Sequence, residues 1–304
     1  MKRFANKQTM ILLIFLVFMW GLNWPLTKIG LLYAPPLLFA GIRTFIGGLV
    51  LLLFALPRYK QLHFQQTWHI YFISAVLNIV LYYGLMTFGL KYMPAGLFSA
   101  IVFLQPVLLG IFSCMWLGES MFTLKVIGLI LGFLGVAIIS IAGITSHASI
   151  LGIILALGTA FAWTFGTLYM KKTSGAVDSF WTVSLQLIIG GLFLIGSGSI
   201  MESWSNIIWN PTFICNLLFI AIFVIAFGWL TYFILIGSGE ASKVGAYTFM
   251  IPVISNIVSI IFLHEKVTMN LIVGLLLIFI SIAFVNRKPS HIGKEGATVP
   301  GSAK

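Results

Sequence analysis

The chain has 304 residues, of which 60% are hydrophobic and only 8% charged, with a mean hydropathy of +1.10. No soluble domain of that size buries so much apolar surface, so its solvent must be lipid. The net charge of +11 is scattered over short loops and tails, which excludes a continuous nucleic-acid-binding face.

A membrane span needs roughly 20 apolar residues. Ten such stretches follow one another, at approximately 10–32, 36–56, 70–90, 94–117, 124–143, 150–170, 179–199, 213–235, 242–263 and 268–286. They are continuous runs without strand-like alternation, so the predicted fold class is all-α integral membrane with ten transmembrane helices. The first run resembles a signal peptide in following Lys2, Arg3 and Lys7. Its length, its lack of a small-residue cleavage site, and Trp20, Asn23 and Trp24 within it predict a retained span.

Thirteen of the 17 basic residues fall on one side of this topology: Lys2, Arg3, Lys7, Arg58, Lys60, Lys125, Lys171, Lys172, Lys243, Arg287, Lys288, Lys294 and Lys304. Lys28, Lys91 and Lys266 fall on the other, and Arg43 lies inside span 2. That bias predicts a multi-pass protein of the cytoplasmic membrane with both termini in the cytoplasm. Residues 1–9 form a cytoplasmic N-terminus, and polar residues 287–304 a disordered cytoplasmic tail.

Residues 95–137 are echoed 146 positions later with 14 identities in 43 positions. Among the identities are Phe103 and Phe249, Pro106 and Pro252, Glu119 and Glu265, and Gly128 and Gly274. Upstream the offset is 143: Trp20 matches Trp163, Lys28 matches Lys171, and 46–49 matches 189–192. The chain is therefore a duplication, with repeats at 10–143 and 150–286 of five spans each. An odd span count makes the second copy enter from the opposite side, which predicts two inverted five-helix repeats. Inverted halves exchanging conformations are the physical basis of alternating access, although duplication also builds inert bundles.

These features together resemble the EamA family of the drug/metabolite transporter superfamily. The resemblance rests on the two five-span halves, the tryptophan in the first span of each, and the mid-span prolines. It also rests on Leu117-Gly118-Glu119 before a glycine-rich span, and covers about residues 8–286. The second copy departs from the pattern with Leu263-His264-Glu265. The resemblance implies a cavity lined by spans 1, 3, 4, 6, 8 and 9, and import or export of small metabolites such as amino acids. It implies no particular solute.

Polar groups in spans are costly against lipid and should face the bundle interior. Asn23, Asn78, Gln105 and Asn256 are cavity candidates, each able instead to join helices. Trp20, Tyr82, Trp163, Trp229 and Tyr232 are candidate aromatic walls for an amphiphilic or cationic solute. Pro106 and Pro252 are candidate midplane kinks or hinges, and Pro25 is expected to interrupt span 1. Arg43 has two readings: it attracts an anionic group of the solute, or it snorkels outward or caps helix carbonyls. Glu119 and Glu265 have two as well, as gating charges or as caps on the N-terminus of the following helix.

Cys114 and Cys215 both fall within spans and the five histidines are scattered, so neither a disulfide framework nor a metal site is expected. None of the six acids is clearly mid-membrane, which argues against a buried carboxylate driving transport. There is no paired-carboxylate, Ser-His-Asp or Gly-Lys-Ser/Thr pattern, so no enzyme chemistry, ATP hydrolysis or cofactor is expected. The expected partners are a small organic solute and the bilayer, with no assignment of oligomeric state. The reading favoured is an alternating-access secondary transporter of a small metabolite; a channel and a membrane-embedded enzyme or scaffold are the alternatives.

Overall fold

The structure is a computed structural model describing residues 7–89, 92, 95–141, 149–263 and 268–287. Among these residues the helices group into ten stretches, nine of them long and apolar enough to cross a membrane. They are α1 (Lys7–Gly30), α2 (Pro36–Ala55), α3 (Phe64–Gly89), α4 in two segments (α4a, Ala95–Val102; α4b, Gln105–Leu117) and α5 (Thr123–Ile141). The second half repeats the series as α6 (Ile150–Thr173), α7 (Ser179–Met201), α8 (Pro211–Ser238), α9 in two segments (α9a, Ala241–Thr248; α9b, Met250–Leu263) and α10 (Met269–Asn286).

Local chemistry sets the boundaries. Asp178 accepts from the backbone N–H groups of Phe180 and Trp181 and so starts α7. Asn210 and Thr268 cap α8 and α10 in the same way, with Pro211 as the first residue of α8. Each cap satisfies orphan donors that the membrane interface would otherwise leave exposed. Glu202 caps a helix distant in sequence, taking the N–H groups of Leu37 and Leu38 at 3.0 and 2.9 Å to seal the start of α2.

The two halves interlock helix against equivalent helix. In a bilayer close van der Waals packing replaces the hydrophobic drive between helices, and glycines supply the closeness. A Cβ on Gly48 would lie 2.8 Å from the Ile188 nitrogen, and one on Gly191 would lie 2.7 Å from the Phe45 nitrogen. Thus α2 and α7 cross backbone to backbone. The pair α5 and α10 does the same, a Cβ on Gly135 falling 2.7 Å from the Gly274 carbonyl.

Three irregularities shape the middle of the bundle. The broken spans α4 and α9 interrupt at residues 103–104 and at 249. The breaks therefore precede Pro106 and Pro252 by a few residues rather than falling on them. Each proline sits in the first turn of the second segment, where its missing N–H removes least. Widened π-type turns occupy Val76–Leu81 in α3 and Ile220–Phe227 in α8. Adding 146 to the first range gives 222–227, so the widening is itself duplicated. Pro25, by contrast, does not interrupt α1, which runs unbroken through it. Tertiary contacts hold the helix there: Gly21 packs closely on Ile254, and the Asn216 amide donates to the Leu26 carbonyl at 2.9 Å.

The glycine crossing gives a matched test. Gly191→Ala should cost about 1–3 kcal/mol through overpacking and lower the unfolding temperature of detergent-purified protein by several degrees. Gly196→Ala on the same helix, where a Cβ meets open space, should leave that temperature unchanged or raise it.

Candidate functional site

A cavity lies where six helices meet. It is lined by Trp20 and Asn23 of α1, Tyr82 and Tyr83 of α3, Val102 and Phe103 of α4, Trp163 of α6, Val224, Ile225 and Trp229 of α8, and Ile251 of α9. In this conformation it has room for a water-sized sphere over only about 30 Å³, and the 470 Å³ of non-atom space between its walls includes open solvent. These residues lie at mid-bundle and toward the end remote from the termini.

Two pairs of repeat-equivalent residues touch across it. The rings of Trp20 and Trp163, 143 positions apart, meet edge-on with centroids 5.8 Å apart. The Trp229 indole N–H points at the Tyr83 hydroxyl at 3.5 Å, across an interval of 146 positions. The pseudo-two-fold axis of the repeat therefore passes through the cavity. The lining is also asymmetric. Phe103 faces the cavity, whereas its equivalent Phe249 is packed onto Gly132 of α5.

Of the predicted residues, Trp20, Asn23, Tyr82, Trp163 and Trp229 converge on this cavity. Tyr232 stands behind the wall: its ring packs on Trp20 with centroids 5.0 Å apart and its hydroxyl lies 3.1 Å from that of Thr167. Gln105 is fully buried at the start of α4b. It and the Trp163 indole approach the Tyr232 hydroxyl, yet neither closes a bond of normal hydrogen-bond geometry. Asn78 is not a wall residue; it joins helices, its amide donating to Met170 Sδ at 2.9 Å and Gln186 Oε1 at 3.3 Å. The amide fits because residue 166, where its oxygen packs, is glycine. Asn256 is also absent from the wall, because its amide returns to the Pro252 carbonyl of its own helix at 2.8 Å.

Arg43 neither snorkels nor caps carbonyls. It is 1% exposed, its Nη1 donates to Thr27 Oγ1 at 2.7 Å, and its guanidinium lies over the rings of Phe39 and Tyr83 at 5.0 and 5.3 Å.

Glu119 caps a helix, but not the one that follows it. Gly118 ends α4b in the left-handed region at φ 66°, which a Cβ would disfavour. The turn carries the Glu119 carboxylate to α9a, where it accepts from the Ala241 and Ser242 N–H groups and the Ser242 hydroxyl. Lys125, fully buried, reaches Glu119 at 3.8 Å and Glu240 at 3.3 Å. Glu240 also pairs with Lys243 at 2.7 Å, and Lys171 donates to the Gly237 and Gly239 carbonyls. This network ties α4, α5, α6, α8 and α9 together at the end of the bundle that carries the termini. Glu265, the repeat counterpart of Glu119, lies outside the described residues, as does the tail from 288 onward.

Sequence reasoning missed the apolar walls Val102, Val224, Ile225 and Ile251, which look like any other span residue. Phe103 had a signal, being a repeat identity three residues before a proline.

The profile of the EamA-like transporter family matches residues 7–141 and again 150–287. The chain belongs to the EamA-like transporter family. It is 62% identical over 288 residues to the uncharacterized transporter YvbV of Bacillus subtilis strain 168, covering 95% of this chain and 94% of that one. It is 28% identical over 305 residues to a probable amino-acid metabolite efflux pump of Escherichia coli K12, covering 90% and 93%. A protein of solved crystal structure shares the fold, with a TM-score of 0.83 at 18% identity over 93% of this chain and 97% of that one. The chain is thus a multi-pass transporter and not an enzyme.

The polar network should respond to acid. Burial raises the Glu240 carboxyl, but hydrogen bonds from Lys243 and Lys125 and their charges outweigh that and hold it below its ordinary value. A depressed carboxylate stabilises the folded state above its unfolded value and loses that contribution as pH falls through the folded one. Wild type should therefore unfold at a higher temperature than Glu240→Gln at neutral pH, and the difference should close as pH drops through the carboxylate range. A pH series of thermal unfolding curves on both proteins checks this.

Proposed function

We propose that this transporter is a secondary carrier of a small organic metabolite, amino-acid-like or amphiphilic, which it moves out of the cell by alternating access. The observation that carries the reading is the cavity on the pseudo-two-fold axis, walled by both repeats. The polar network on the side of the termini supports it, since one sealed end and one mid-bundle cavity describe one of two exchangeable states. The relatives named as probable amino-acid metabolite efflux pumps support the solute class and the direction. On this reading the repeats span 10–143 and 150–286, the termini face the cytoplasm, and the α4 and α9 breaks are the hinges. Trp20, Tyr82, Trp163 and Trp229 grip the apolar part of the solute, and Asn23 supplies a polar contact.

Proteoliposome uptake of amino acids and their derivatives tests the reading. Saturable uptake is expected, and Trp163→Ala should reduce it about tenfold, the loss of one aromatic wall. Trp209→Ala, at an exposed position, should leave uptake intact. Linear, non-saturating flux would favour a channel, and equal loss in both variants would remove the cavity from the transport path.

A further inference from the structure

Arg43 is a fully buried cation, and an uncompensated charge in that setting is expensive. Among the described residues no carboxylate pairs with it. Glu119, Asp178, Glu202 and Glu240 are engaged elsewhere: with α9a, with Arg58 and the start of α7, with the start of α2, and with Lys125 and Lys243. The titratable groups that face the guanidinium are the Tyr82 and Tyr83 phenols. Its Nε has no hydrogen-bond partner.

The charge is wired to the cavity. Arg43 Nη1 donates to Thr27 Oγ1 at 2.7 Å, and Thr27 donates onward to Asn23 Oδ1 at 3.3 Å. Asn23 accepts from Thr27 through its oxygen and carries two amide N–H donors on the cavity wall. Tyr83 sits similarly: its hydroxyl oxygen faces the Trp229 N–H, which leaves its own O–H to donate. The wall in front of Arg43 therefore presents donors backed by a positive charge, and a carboxylate is the complement of that set.

We propose that Arg43 determines specificity for solutes bearing a carboxylate, which the Asn23 amide and the Tyr83 hydroxyl hold in front of its charge. This rests on the reading of the cavity as the solute site. Arg43 is a positioning residue here, acting through Thr27 and Asn23.

The test measures quenching of tryptophan fluorescence in purified full-length protein by two matched series. One has a phenyl body (3-phenylpropionate, 3-phenylpropionamide, phenethylamine and L-phenylalanine), the other an isobutyl body with the same head groups. The acids and the amino acids should bind about tenfold or more tightly than the matching amide and amine. Arg43→Gln should erase that preference by weakening the acids far more than the amide. Thr27→Val, which cuts the relay but keeps the cation, should reduce the preference and serves if Arg43→Gln does not fold. Equal binding of acid and amide, tighter binding of the amine, an undiminished acid preference in both variants, or binding of no acid in either series would each overturn the proposal. If proteoliposomes still accumulate a neutral or cationic solute, the proposal alone falls. If they show no saturable uptake of any solute, the carrier reading falls with it.

Discussion

The contact between Trp20 and Trp163 is the point on which the rest of the structure turns. Two residues descended from one ancestral position meet at 5.8 Å, and only an axis of pseudo-symmetry running between them allows that. The Tyr83–Trp229 contact lies on the same axis. Everything peripheral keeps the axis intact: α2 crosses α7 and α5 crosses α10 on glycines, with backbones too close for any side chain between them. Rigid outer pairs and an irregular interior are complementary. Lipid forbids broken backbone at its own surface, so the breaks in α4 and α9 and the π-type turns in α3 and α8 all belong to spans that line the cavity.

On the proposed reading, symmetry in sequence and asymmetry in structure together describe a carrier held in one of its states. Phe103 faces the cavity and Phe249 does not, although the two are repeat equivalents. At the end bearing the termini, Glu119 fastens the α4–α5 turn to the start of α9a, while Lys125 and Lys171 bind neighbouring turns. A carboxylate on helix N–H groups is a strong contact in a dry setting, yet it involves few atoms, so it can be released as a unit.

Much of this was legible in the residues. The apolar runs and the 146-residue echo pointed to the helices and their inversion, because lipid leaves few alternatives. Trp20 and Trp163 were legible as a pair because both stayed tryptophan. Tyr83 and Trp229 were harder, since the equivalent positions carry different rings. Asn78 could not be told from a wall residue, because a buried amide wants a partner whether that partner is solute or helix; the deciding fact was a glycine at 166, 88 positions away. Arg43 was read against its own helix, where snorkelling is reasonable, but Thr27 and Tyr83 come from α1 and α3 and only the fold supplies them. The helix break was placed at the prolines, whereas it falls just before them, since a proline is tolerated in a first turn.

The central claim is that the end carrying the termini must open for solute to pass. It is tested most directly by tethering that end. Cys114 and Cys215 are first replaced by serine, Glu119 and Ser242 by cysteine, and the new pair is bridged by a cleavable bifunctional thiol reagent in proteoliposomes. The expected result is that uptake of the solute carried by the unbridged protein stops on bridging and returns on cleavage. Uptake that continues at the same rate through fully bridged protein would contradict the account.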